Sequence, residues 1–199
     1  EVSRKIGLRV KVFITDGLQP IGKGIGPMLE ARELIHVLKN SSTENYHPVL
    51  KRKCLHIAGD LFELIKKTKK GKGYAYAKQI LESGKAYKKF KEIIKAQGGK
   101  VPNPEKMKLA KFSITFNAQN SGKIKHIDNK TINRMARIAG APYDKEAGIY
   151  FYAHKNDIVK RGDKLFTLYS DNKSRLNYAK KINWKQGLEI KPNGKKKKK

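Results

Sequence analysis

The stretch GGKVPNPEK, residues Gly98 to Lys106, constrains this chain more than any other. Proline fixes φ and lacks the backbone N–H, so neither a helix nor a central strand runs through Pro102 and Pro104, and Gly98-Gly99 is a helix-stop signal. Before this break apolar residues recur every three or four positions. After it they alternate with polar ones. The chain therefore reads as two parts: residues 1–99, an α/β portion of one strand and several helices, and residues 106–185, a small α+β, β-rich domain. Residues 186–199 read as a basic tail.

In the first part LRVKVFIT, residues Leu8 to Thr15, alternates as a strand and Asp16-Gly17 is a turn signal. A helix begins at Pro27, where a missing N–H costs nothing, and carries Leu34, Ile35 and Leu38. The spacing of Leu50, Cys54, Ile57, Leu61, Leu64 and Ile65 predicts a second helix over residues 48–67, with Cys54 on its buried face. Tyr74 to Leu81 and Lys85 to Ala96 are two shorter helices, with Tyr74, Tyr76, Tyr87 and Phe90 spaced for helix packing. In the second part KFSITFNA and KIKHI read as strands paired around Ser121-Gly122. Asp128 or Asn129 caps a helix to Ala139, GIYFYAH and DKLFTLYS are further antiparallel strands, and a last helix covers Lys173 to Ile182.

At roughly 100 to 200 residues per domain, 199 residues with 38% hydrophobic content suffice for a buried core. No run approaches the ~18 apolar residues of a membrane span, and no signal-peptide pattern opens the sequence. The single cysteine, Cys54, excludes an internal disulfide and fits a reducing cytoplasm. The chain starts at Glu1 without Met and leads directly toward a strand, which reads as a truncated or cleaved product.

Lys and Arg number 46 against 17 Asp and Glu, a formal charge of +29. Such an excess fits a nucleic-acid partner or attraction of phosphate-bearing ligands. The lysines are nevertheless spread over every predicted helix, only GKKKKK is a block, and no aromatic-basic interleaving marks a stacking platform, so a solvated surface is the plainer reading.

The stretch TDGLQPIGKGIGPMLEARE, residues Thr15 to Glu33, places Gly22, Gly24 and Gly26 between a strand and a helix, where phosphates often bind. The spacing is G-x-G-x-G rather than G-x-G-x-x-G, and no G-K-[ST] follows. By spacing alone this is a tight structural turn. His36, His47, His56, His126 and His154 show no zinc spacing. Asp144 and Glu146 in YDKEAG suggest a carboxylate pair for acid/base chemistry, with capping as the plainer account.

That stretch, together with AKQILESGKAYKKFKEIIKAQGG and MARIAGAPYDKEAGIYFYAHKNDIVKRGDKLFTLYS, resembles the C-terminal part of the thymidine and pyrimidine nucleoside phosphorylase family over about residues Leu8 to Ala179. The family pattern D-M-x-Q-P-L-G, later G-N-x-L-E-V, is altered here: Gly17 replaces Met, Pro27 replaces Asn, and Ala31-Arg32 follows Glu30. These departures resemble the archaeal AMP phosphorylase branch. The resemblance implies phosphorolysis of a nucleoside 5′-monophosphate to free base and ribose 1,5-bisphosphate, with AMP and inorganic phosphate as substrates and a homo-oligomeric assembly.

It also implies a monovalent cation, such as K+, held by Ile21, Gly24 and Glu33. Hard cations prefer such oxygens. The family's phosphate- and nucleoside-binding residues precede the positions matching Glu1, so no catalytic or substrate-binding residue falls in this chain and the chain alone is expected to be inactive. IVKRGDKLF is similar to hammerhead folds of biotinyl and lipoyl carriers, with Lys155 the one lysine placed for a carrier role, although its flanks do not match. Three alternatives stay open: a pyrimidine nucleoside phosphorylase, a basic nucleic-acid-binding module, and a pure assembly domain.

Overall fold

The computed structural model describes residues 2–15, 17 and 19–192. The chain divides into two compact units, one of residues 1–16 with 34–103 and the other of residues 17–33 with 104–199. In chain order the elements are α1 (Val2–Lys5), β1 (Gly24–Ile25), α2 (Pro27–Leu38), α3 (Pro48–Leu64), α4 (Gly73–Glu82), α5 (Lys85–Ala96), β2 (Phe112–Asn117), β3 (Gly122–Ile127), α6 (Asn129–Ala139), β4 (Gly148–Phe151), β5 (Ile158–Val159), β6 (Lys164–Ser170), α7 (Lys173–Lys180), α8 (Trp184–Gly187) and β7 (Leu188–Lys191), with short 3-10 turns at Thr43–Asn45 and Pro104–Lys106.

The first unit is helical. Leu55, Ala77 and Leu81 form its buried centre, with Leu38, Ala58, Phe62 and Ala86 packed around them. Two glycines let α3 and α4 touch backbone to backbone: a Cβ on Gly59 would lie 2.5 Å from the Tyr74 nitrogen, and one on Gly73 would lie 2.2 Å from the Gly59 oxygen. The Glu63 carboxylate accepts the N–H groups of Gly71 and Gly73, both at 2.9 Å, which satisfies donors at the start of α4.

Two sequence expectations fail in this unit. Residues Leu8 to Thr15 form no strand. A strand needs a neighbour for its N–H and C=O groups, whereas Val12 is 78% and Ile14 92% exposed. This segment is tied by side chains instead, Lys11 Nζ lying 2.5 Å from Asp60 and Arg9 donating to the Leu64 carbonyl at 2.8 Å. Cys54 is exposed rather than buried. The stripe through Cys54, Ile57 and Leu61 faces outward, because the Gly59–Gly73 crossing turns Leu55, Ala58 and Phe62 toward α4.

The second unit holds two antiparallel sheets, with strand orders β1-β4-β6-β2 and β5-β3-β7. β2 and β3 are therefore not a hairpin, as the sequence suggested. Between them Ala118 is held by the β5–β6 turn, donating to the Asp163 carbonyl and accepting from Gly162 N–H, each at 2.8 Å, and the chain passes from one sheet to the other. β4 and β6 do pair antiparallel, Ile149 opposite Leu168 and Phe151 opposite Phe166. Their inward side chains are fully buried with Ile132, Met135 and Ala139 of α6, and each large apolar group contributes about 1.5–3 kcal/mol by leaving water. Trp184 of α8 packs edge-on against Phe116 and Phe166. The Asp128 carboxylate caps α6 by accepting from Thr131 N–H at 2.8 Å.

Residues 17–33 are held into this unit at several points. The Gln19 side chain accepts from Ile127 N–H at 2.8 Å and its amide nitrogen lies 2.7 Å from His126 Nδ1. The amide therefore donates to an unprotonated Nδ1. β1 pairs with β4, where a Cβ on Gly148 (φ +154°) would stand 2.1 Å from the Ile25 oxygen. The His154 ring donates from Nε2 to the Gly22 carbonyl at 3.1 Å, and burial pushes its pKa below the ordinary histidine range. Residues 193–199, half of the expected basic tail, lie outside the described residues, while in the other half Gly187 ends α8 and Leu188–Lys191 form β7.

Two outcomes follow from this packing. Gly59→Ala should gain about 1 kcal/mol of helix propensity but lose about 1–3 kcal/mol through overpacking at the α4 backbone, lowering the thermal midpoint; a rise in midpoint would show that the helices do not touch there. His154 binds its proton less readily folded than unfolded, so its stability contribution is full above about pH 6.5 and falls as pH drops toward the lowered folded value. His154→Asn should accordingly flatten the decline of melting temperature between about pH 7 and about pH 5, whereas parallel curves would assign that decline to other groups.

Candidate functional site

The glycine-rich turn is built around one buried carboxylate. Pro27 opens α2, whose first donors find partners: Gly26 N–H donates to Glu30 Oε1 at 3.0 Å and Met28 N–H to the Lys145 carbonyl at 3.0 Å. Glu33, nearly two turns along α2, reaches back over the turn, and its Oε2 accepts from Lys23 N–H at 2.8 Å and Gly24 N–H at 3.1 Å. It is only 4% exposed. A Cβ on Gly22 would lie 2.4 Å from that oxygen, so the glycine is where the carboxylate needs room.

This arrangement decides what the turn can do. The two amides that would face a phosphate are bonded to the protein's own anion, and a second anion at that point would be repelled. Glu33 and Gly24 meet directly, and Ile21 lies on the same turn, beside Gly22. Among the described residues no group of three or more His, Cys, Asp or Glu is placed to hold a metal ion.

The remaining sequence candidates do not converge. Asp144 pairs with Arg175 at 2.6 Å, and the Glu146 carbonyl accepts from Ala110 N–H at 3.1 Å. Lys155 is exposed on the turn between β4 and β5. His126 and His154 are each engaged with residues 17–33, by way of Gln19 and Gly22.

Sequence reasoning missed a row of tyrosines. Tyr150, Tyr152 and Tyr169 alternate with the core residues Ile149, Phe151 and Leu168 and so share the opposite face of the four-stranded sheet. Tyr152 and Tyr150 meet edge-on at 5.1 Å, and the Tyr152 hydroxyl lies 3.1 Å from Thr167 Oγ1, itself 2.8 Å from Thr115 Oγ1. Burial first, then the neighbouring Tyr152, pushes the Tyr169 hydroxyl up to about 12. The signal in the sequence is their period-two placement, masked by the stronger apolar alternation of Ile149, Phe151 and Leu168.

Residues 123–188 match the family described as the pyrimidine nucleoside phosphorylase C-terminal domain. An AMP phosphorylase of Pyrococcus abyssi is 44% identical over 181 residues, covering 90% of this chain and 35% of that protein. AMP phosphorylase 2 of Archaeoglobus fulgidus is 40% identical over 192 residues, 96% of this chain and 37% of the relative. A provisionally named thymidine phosphorylase of Legionella pneumophila strain Corby is 42% identical over 179 residues, 90% and 34% respectively. The chain thus spans about a third of the length of the curated relatives it matches. Residues 123–188 thus match a pyrimidine nucleoside phosphorylase C-terminal domain, and similarity to AMP and thymidine phosphorylases is sustained along nine-tenths of the chain.

Proposed function

We propose that this chain works as part of a phosphorylase that cleaves AMP with inorganic phosphate, giving free base and ribose 1,5-bisphosphate. The observation that carries the reading is the similarity to AMP phosphorylases along almost the whole chain, 44% identity over 181 residues in one case. The locked Glu33 turn adds a constraint: the chain's glycine-rich turn is not the phosphate site, so the attacking phosphate is bound by residues other than these. The chain alone is then inactive. Thymidine or uridine as substrate is the second reading, favoured by the matched domain's description and the Legionella relative. The β-rich unit fits a hammerhead-like domain that closes one side of a cytoplasmic homo-oligomer.

In phosphorolysis a phosphate oxygen forms a bond to the anomeric carbon as the C1′–N glycosidic bond breaks and the base leaves with its electron pair, and the charge developing on sugar and base must be met by fixed dipoles and charges. The contribution of these residues is to hold such a site in shape. We also assign the Ile21 and Gly24 carbonyls and the Glu33 carboxylate to a monovalent cation such as K+, an oxygen set suited to a hard ion.

Phosphate-dependent release of adenine from AMP should be seen with a form of the protein extended to the length of its relatives and not with this 199-residue chain. Release only from thymidine or uridine would move the reading to nucleosides, and release by this chain would overturn the assignment of the chemistry to other residues. For the cation, K+ in place of tetramethylammonium should raise the melting temperature, the gain approaching about 2.7 kcal/mol at 100 times the dissociation constant. Glu33→Gln should abolish that gain, and a wild-type chain indifferent to K+ would remove the cation from the turn.

A further inference from the structure

α6 is two-faced. Ile132, Met135, Ala136 and Ala139 are buried in the core of the second unit, while Lys130, Asn133, Arg134 and Arg137 are exposed. Spacings of four and three residues stack the three cations along one side, over about 10 Å at 1.5 Å per residue. They line a groove of about 550 Å³ with Asn133 and Ile138. A second recess of about 320 Å³ shares Asn133 and Arg137 and adds the apolar rings of Pro27 and Pro142.

The carboxylates near this helix are engaged elsewhere. Asp128 caps the helix through Thr131, Asp144 pairs with Arg175, and Glu30, which lines the second recess, accepts from Gly26 N–H. Among the described residues no carboxylate forms an ion pair with Lys130, Arg134 or Arg137. Like charges at these spacings repel and weaken a helix standing alone. A single phosphate spans only part of such a row. A chain of phosphates matches it.

We propose that this face of α6 is a docking strip for the backbone of single-stranded nucleic acid, with the phosphates along Lys130, Arg134 and Arg137 and the bases turned toward Ile138 and the proline-lined recess. A strip one helix wide suits one strand rather than a duplex. The formal charge of +29 draws such a strand in from solution, and Glu30 marks the end of the phosphate track. This inference is independent of the phosphorolysis reading, since it rests on α6 and the recess beside it.

The test is fluorescence anisotropy of a labelled 12-nucleotide oligouridylate with this chain across a series of KCl concentrations. Binding should weaken linearly in log affinity against log salt, and K130Q/R134Q/R137Q should lose at least about tenfold in affinity near 100 mM salt and flatten the slope by about 2, at 0.7 per single-strand phosphate contact. K88Q/K91Q/K95Q on α5 removes equal charge elsewhere and should cost less than about threefold. Arg134→Gln alone should flatten the slope by about 0.7 and keeps the test open if the triple variant does not fold. Equal losses in both triple variants would reduce the effect to diffuse charge, and displacement of the oligonucleotide by millimolar AMP would make the groove a mononucleotide site. Either result, like an absence of binding near 100 mM salt, overturns the proposal.

Discussion

The contact between the Glu33 carboxylate and the amides of Lys23 and Gly24 organises the segment that most resembles a ligand loop. Burying a charge is costly unless hydrogen bonds meet it, and two charge-assisted bonds to backbone N–H do so here. The consequences pass along the turn. With Lys23 and Gly24 fixed, the Lys23 carbonyl accepts from Phe151 N–H at 2.7 Å, Gly24 pairs opposite Tyr150, and the Gly22 carbonyl faces His154. One acidic side chain thus sets the register of β1 and removes the turn from the list of phosphate sites.

Much of this was legible in the sequence where local signals act alone. Pro27 opens α2, Asp128 caps α6, and α5 runs over the residues its spacing predicts. What failed depended on partners distant in sequence. LRVKVFIT alternates like a strand, but alternation supplies only side chains for two faces and cannot supply a neighbouring backbone. Along α3 the sequence offers two apolar stripes, Cys54-Ile57-Leu61 and Leu55-Ala58-Phe62, of similar strength. The choice between them is made by Gly59, whose missing Cβ has no weight in a hydrophobicity pattern and every weight in deciding which side meets α4.

The site was legible in its members more than in their relations. Ile21, Gly24 and Glu33 were chosen through family resemblance, and the structure does bring Glu33 onto Gly24. It brings them together in a sense that resemblance did not carry, with the carboxylate as acceptor of amides. In the sequence Gln19 stands out only as the Gln of Q-P. Its amide ties residues 17–33 to β3 with both of its polar ends, on Ile127 and His126.

These links also set what counts as a folding unit. The matched phosphorylase domain covers residues 123–188. That span omits β1 and β2, the two outer strands of the four-stranded sheet, and so would leave the β4 and β6 edges with unpaired N–H and C=O groups. It also omits Gln19, whose loss uncovers Ile127 N–H in the interior. The physical unit is therefore larger than the sequence match, and discontinuous: residues 17–33 belong to it although some seventy residues of helical chain intervene. The division falls within α2, after Glu33, so the glycine turn at the head of that helix lies wholly in the second unit. Glu33 is the last residue of the 17–33 segment, and the two hydrogen bonds it accepts from Lys23 and Gly24 tie the segment's end back to its own turn.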